Sequence, residues 1–65
     1  MIEVTKMNDS KITVNAELIE IVEETPDTVI TLTSGKKIIV KESRKEIRDK
    51  VIRYRREISF VELEK

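Results

Sequence analysis

Thr28-Val29-Ile30-Thr31-Leu32-Thr33-Ser34-Gly35-Lys36-Lys37-Ile38-Ile39-Val40-Lys41 is the stretch that decides the fold. Ile30 and Leu32 alternate with threonines, β-branched residues dominate, and Ser34 and the chain's single glycine interrupt the run. That is the pattern of two half-buried strands joined by a tight turn. Loop parity narrows it further. A two-residue Ser34-Gly35 turn pairs Ile30 with Ile39. A three-residue Thr33–Gly35 loop, with Gly35 left-handed at a bulge, pairs Ile30 with Ile38 and Leu32 with Lys36. Only the second places Ile30, Leu32, Ile38 and Val40 on one face, and it is the reading adopted.

Working toward the N-terminus, Glu24-Thr25-Pro26-Asp27-Thr28 is a turn, because Pro26 pre-sets its φ and Asp27 suits the next position. An even loop centred on Pro26-Asp27 sets Ile21 opposite Leu32 and Glu23 opposite Ile30. Ile19 and Ile21 then face the core, and Val22 joins Val29 and Ile39 on the opposite face. Asn15-Ala16-Glu17 reads as a short break. Before it, Ile2 and Val4 alternate with polar residues, as do Ile12 and Val14, around the turn cluster Asn8-Asp9-Ser10. A three-residue loop there sets Val4 opposite Val14.

Toward the C-terminus, Ser43-Arg44-Lys45-Glu46 is a capping box that opens a helix. Ile47, Val51, Tyr54 and Ile58 recur at spacings of four, three and four, a narrow apolar stripe. Ile58 to Leu63 reads in two ways. As helix, Val61 continues the stripe. As an extended tail docked on a sheet edge, Ile58 and Phe60 share one face and Val61 and Leu63 the other. The extended reading is the one adopted. The expected fold is therefore mainly β with one C-terminal helix (α+β), a small antiparallel five-stranded meander or partial barrel followed by an α-helix. Strands are expected at 2–7, 11–15, 18–24, 28–33 and 36–41, the helix at 43–57, with residues 1–57 as one domain and 58–65 as a tail. The expected core is Ile2, Val4, Ile12, Val14, Ile19, Ile21, Ile30, Leu32, Ile38, Val40, Ile47, Val51 and Tyr54.

Composition agrees and excludes much. Ile and Val together number 17 and Thr adds 6, against 3 Leu and 1 Ala among 65 residues. A chain of this length buries only about 60% of its unfolded surface and encloses no deep substrate cavity. Having neither Cys nor His, it has no disulfide, thiolate metal site or imidazole base. One glycine cannot build a phosphate-cradling loop. Glu23-Glu24 and Glu62…Glu64 read as solvated surface charge. No catalytic residue, metal or cofactor is assigned. There is no membrane-length apolar run and no signal-peptide core, so the chain reads as cytoplasmic.

The formal charge is zero overall but segregated: residues 1–35 carry a net −5, 36–56 a net +7, and 57–65 a net −2. Arg44, Lys45, Arg48, Arg55 and Arg56 on the helix, with Lys36 and Lys37 on the last strand, form a candidate partner or anion surface. The plain alternative is a solvated helix face. Nucleic acid is poorly supported, since Tyr54 is the one aromatic nearby and belongs to the apolar stripe.

The string Asn15-Ala16-Glu17-Leu18-Ile19-Glu20, the run Ile21 to Thr33, and Gly35-Lys36-Lys37-Ile38-Ile39-Val40-Lys41-Glu42-Ser43 together resemble the FlbD/SwrD family of small flagellar proteins. The resemblance extends from near Met1 to about Tyr54, with Ser34 where the family pattern leads one to expect Asn. It implies a non-enzymatic cytoplasmic protein of motile bacteria, associated with flagellar motor power and swarming and acting through motor or stator proteins at the inner membrane face. It brings no catalytic residues. The competing reading is a small anion- or nucleic-acid-binding regulator working through the basic helix. A short chain with a spare apolar patch (Val22, Val29, Ile39) and an apolar tail (Phe60, Val61, Leu63) is also expected to form a homo-oligomer. The alternative is a monomer in which helix and tail cover those residues.

Overall fold

The computed structural model describes the backbone of residues 1–63 and the side chains of residues 1–58. Five strands are followed by one helix: β1 (Ile2–Thr5), β2 (Lys11–Val14), a 3-10 turn (Ala16–Leu18), β3 (Ile19–Glu24), β4 (Thr28–Leu32), β5 (Lys37–Val40) and α1 (Arg44–Leu63). β1 and β2 form one antiparallel hairpin, and β3, β4 and β5 form a three-stranded antiparallel sheet with β4 central. The two meet where Lys6 bridges Val40 and the Lys41 N–H donates to the Thr5 carbonyl at 2.8 Å. The result is two small sheets joined at this bridge, and α1 packs on β1 and β3.

The deciding hairpin has the three-residue-loop register. Ile30 lies opposite Ile38 and Thr31 opposite Lys37. Leu32 and Lys36 close the loop through the Leu32 N–H to the Lys36 carbonyl at 2.8 Å. Gly35 has φ +92°, and a Cβ built there meets nothing within 4 Å. Substituting it therefore carries a conformational cost without a clash. Gly35→Ala is expected to destabilise by about 1 kcal/mol, read as a lower urea midpoint; an unchanged midpoint would speak against the left-handed loop.

Two other hairpins depart from expectation. In the first, Val4 lies opposite Ile12 and Ile2 opposite Val14, so the Val4–Val14 pairing is corrected. The turn begins earlier: the Lys6 N–H donates to the Ser10 carbonyl (2.8 Å) and the Asp9 N–H to the Lys6 carbonyl (2.9 Å), with Asp9 left-handed at φ +71°. A shift of two residues preserves which side chains face inward.

The second correction exchanges faces. The loop between β3 and β4 is odd, Thr25-Pro26-Asp27, held by the Thr25 N–H donating to the Asp27 carbonyl at 3.2 Å; the Thr25–Pro26 peptide is cis. Val22 now lies opposite Ile30 and Glu23 opposite Val29. A one-residue change in loop length reverses the sheet face of every residue beyond it. Ile21 therefore leaves the expected core and is 45% exposed, while Val22 packs against the core. A bulge between Ile19 and Ile21 takes up one residue, so Ile19, opposite Leu32, still faces inward.

Ile2, Val4, Val14, Ala16, Ile30, Val40 and Ile47 are buried, with Ile12, Ile19, Val22, Leu32, Ile38, Val51 and Tyr54 packed around them. The expected core holds except for Ile21, and it gains Ala16 and Val22. The helix is longer than expected, running through Ile58 to Leu63, so the backbone follows the helical of the two readings of the tail and the extended one is corrected.

Candidate functional site

The basic residues on α1 are placed by how the helix starts. The Ser43 Oγ accepts from the Glu46 N–H at 3.1 Å, and Glu46 Oε1 accepts from the Ser43 N–H at 3.3 Å, the reciprocal capping box. A second carboxylate joins from β3: the Arg44 N–H donates to Glu24 Oε1 at 2.7 Å. Negative charge at this end complements the helix dipole, and the contact ties the end of β3 to the first turn of α1. These terminal amides are thus bonded to the chain's own groups.

Arg44, Arg48 and Arg55, at i, i+4 and i+11, fall on one flank of α1. With Ala16, Ile19, Val22, Ile47 and Val51 they line a groove of about 230 Å³ between the helix, the 3-10 turn and β3. The floor is aliphatic and the rim is arginine. Ala16 reaches the floor because the Asn15 side chain accepts from the Glu17 N–H at 3.0 Å and caps the 3-10 turn. Two floor residues were not legible in advance. Val22 was misplaced by loop parity, and Ala16, the chain's only alanine, sat in what read as a plain break.

The rest of the basic set divides. Arg44, Lys45 and Arg48 line an open concavity beside the groove. Arg56 is exposed on the helix. Lys36 and Lys37 belong to a separate concavity with Lys6, Met7, Asn8, Ile12, Ile38 and Ile39. Lys36 and Lys37 thus line a different concavity from Arg44, Lys45, Arg48 and Arg55.

The expected oligomer residues also separate. Val29 and Ile39 are cross-strand partners on the outer face of the sheet, Val29 half-buried and Ile39 47% exposed. Ile21 stands diagonally from Val29 and takes the place assigned to Val22. The side chains of Phe60, Val61 and Leu63 lie outside the described residues.

Three consecutive residues join these surfaces. Lys41 forms an ion pair with Asp9, whose hydrogen bond and charge hold the Asp9 carboxyl below its ordinary value. Glu42 accepts from the Thr5 N–H through Oε1 and from the Thr5 hydroxyl through Oε2, both at 2.8 Å. Burial pushes the Glu42 carboxyl up, but the two Thr5 bonds, its own amide and the Lys50 charge outweigh this and leave it lowered. Ser43 caps α1. The Lys41-Glu42-Ser43 triplet thus closes the β1–β5 seam and starts the helix that carries the arginine flank.

The family model of FlbD, flagellar and swarming motility proteins, matches residues 1–59. The chain belongs to the FlbD family. The match in this FlbD protein spans all five strands and every residue lining the groove. Phe60, Val61 and Leu63 lie beyond it. Comparison with curated proteins and with solved structures found no match. Among the described residues of the FlbD chain, no helix is long and apolar enough to cross a membrane.

Proposed function

We propose that this FlbD protein is a non-enzymatic cytoplasmic factor that supports flagellar motor power and swarming by binding a motor or stator protein at the inner membrane face. The family match over residues 1–59 carries the motility role. The exposed basic face of α1, with Lys45 and Arg56 on its solvent side and Arg44 and Arg48 beside them, supports a contact with an acidic protein surface. Such charge complementarity contributes mainly to the rate and specificity of encounter.

The test is a Lys45→Glu/Arg56→Glu double variant expressed at the native locus. Both residues are exposed, so the change in stability is expected to be about 0.5 kcal/mol or less. Swarm expansion and motor torque under load are expected to fall at unchanged protein level. Cross-linking to a motor or stator protein should be lost with them. Wild-type swarming by the double variant would overturn the assignment of this face. Tight DNA binding by the wild-type protein, weakening steeply with salt, would favour the regulatory reading instead.

A further inference from the structure

We propose that the arginine-flanked groove between α1 and β3 takes the C-terminal segment of a second copy of this chain, residues 57–65. The inference does not depend on the motility reading, although Arg44 and Arg48 border both the groove and the basic face.

The groove has the two properties that a partner segment must match. Its floor of Ala16, Ile19, Val22, Ile47 and Val51 is aliphatic, and its rim carries Arg44, Arg48 and Arg55. Ile19, Val22 and Val51 remain partly exposed there, and covering such side chains is favourable. The segment Glu57-Ile58-Ser59-Phe60-Val61-Glu62-Leu63-Glu64-Lys65 is the chain's own complement. It brings three apolar residues in four positions (Phe60, Val61, Leu63), and Glu57, Glu62 and Glu64 against a single lysine. Arginine and carboxylate form the strongest of the common side-chain pairings.

The occupant must come from another molecule. α1 is continuous from Arg44 to Leu63. At 1.5 Å per residue, Phe60 lies about 13 Å further along the axis than Val51, past the end of the groove and leading away from it. A straight helix cannot lay its last turns over its own first turns. The long dimension of the chain, 41 Å against 22 and 19 Å, is that of a helix extending beyond the body of the sheet. Two copies can each offer a groove and a segment, so the contact closes as a reciprocal dimer or continues as a ring.

Sedimentation equilibrium of the full chain at about 50 µM tests this, with far-UV circular dichroism to establish the fold of each variant. The wild-type chain is expected at a multiple of its 7.6 kDa monomer mass. Phe60→Asp is expected to return it to monomer mass with the helix and sheet signal intact. Arg48→Glu should weaken association about tenfold or more, and adding Glu62→Arg to it should restore part of the loss. A synthetic peptide of residues 57–65 should compete with the assembly. A monomer mass for the wild-type chain overturns the proposal. So does an assembly that survives Phe60→Asp but dissociates on Ile39→Lys, which would place the contact on the outer sheet face.

Discussion

Ile47→Ala is expected to lower the free energy of unfolding by about 2–5 kcal/mol, the range for truncating a fully buried aliphatic side chain. Ile47 has no exposed surface and, among the described residues, is the one residue of α1 in the buried core with Ile2, Val4, Val14, Ala16, Ile30 and Val40. It is where the helix is fastened to the strands of both sheets. A single core in a domain of this size rarely contributes more than about 3–5 kcal/mol of net stability. The variant should therefore populate unfolded chain at 25 °C and bring the thermal midpoint down markedly. Ile52, one turn away and 38% exposed, is the control: Ile52→Ala should change stability by about 0.5 kcal/mol or less. Equal urea midpoints for the two variants would contradict the helix orientation.

Glu42→Gln is expected to cost about 1–2 kcal/mol at pH 7, because hydrogen bonds to a charged group contribute more than neutral ones. The carboxylate accepts two bonds from Thr5 across the seam between β1 and β5; a carboxamide has only one oxygen to offer. The pH dependence carries a sign. The Glu42 pKa is lowered on folding from its ordinary 4.5, so the unfolded chain binds the proton more readily. Its stabilisation is complete above the unfolded value and is lost as pH falls through the lower, folded one. Asp9, also lowered, contributes in the same direction. Urea unfolding at pH 7 and pH 3 should therefore show a smaller loss on acidification for the glutamine variant than for the wild type. An identical loss in both would mean that the Glu42 carboxylate does not hold the seam.

The parts of the fold that could be read from sequence are those governed by neighbours in the chain. The capping box at Ser43 and Glu46 is a contact between residues three apart. The Thr33–Gly35 loop was recoverable because only one parity placed four aliphatic residues on one face, and the chain's only glycine sits where φ is positive. The Pro26 turn gave no such purchase. Both parities leave an aliphatic residue facing inward from β3, Ile21 in one and Val22 in the other. The pattern was degenerate, and the even loop proved wrong. The bulge between Ile19 and Ile21 concealed the answer further, since it breaks the strict alternation by which a strand is read.

The candidate site shows the same division. The arginines on α1 are visible as charge at helical spacing, yet their separation from Lys36 and Lys37 depends on where the helix lies across the sheet. The role of Glu42 was not legible, because its partner Thr5 is 37 residues distant. By itself the sequence determined the element order, the helix start, the Gly35 hairpin, nearly all of the core and the resemblance to the family. Those follow from periodicity and short-range contacts, which act within a few residues of chain. Only the tertiary structure decided which face of β3 is buried, how the hairpin and the three-stranded sheet join, and that three arginines rim an aliphatic groove. Each of these depends on packing among segments distant in the chain, where several local patterns are equally satisfied and burial selects one.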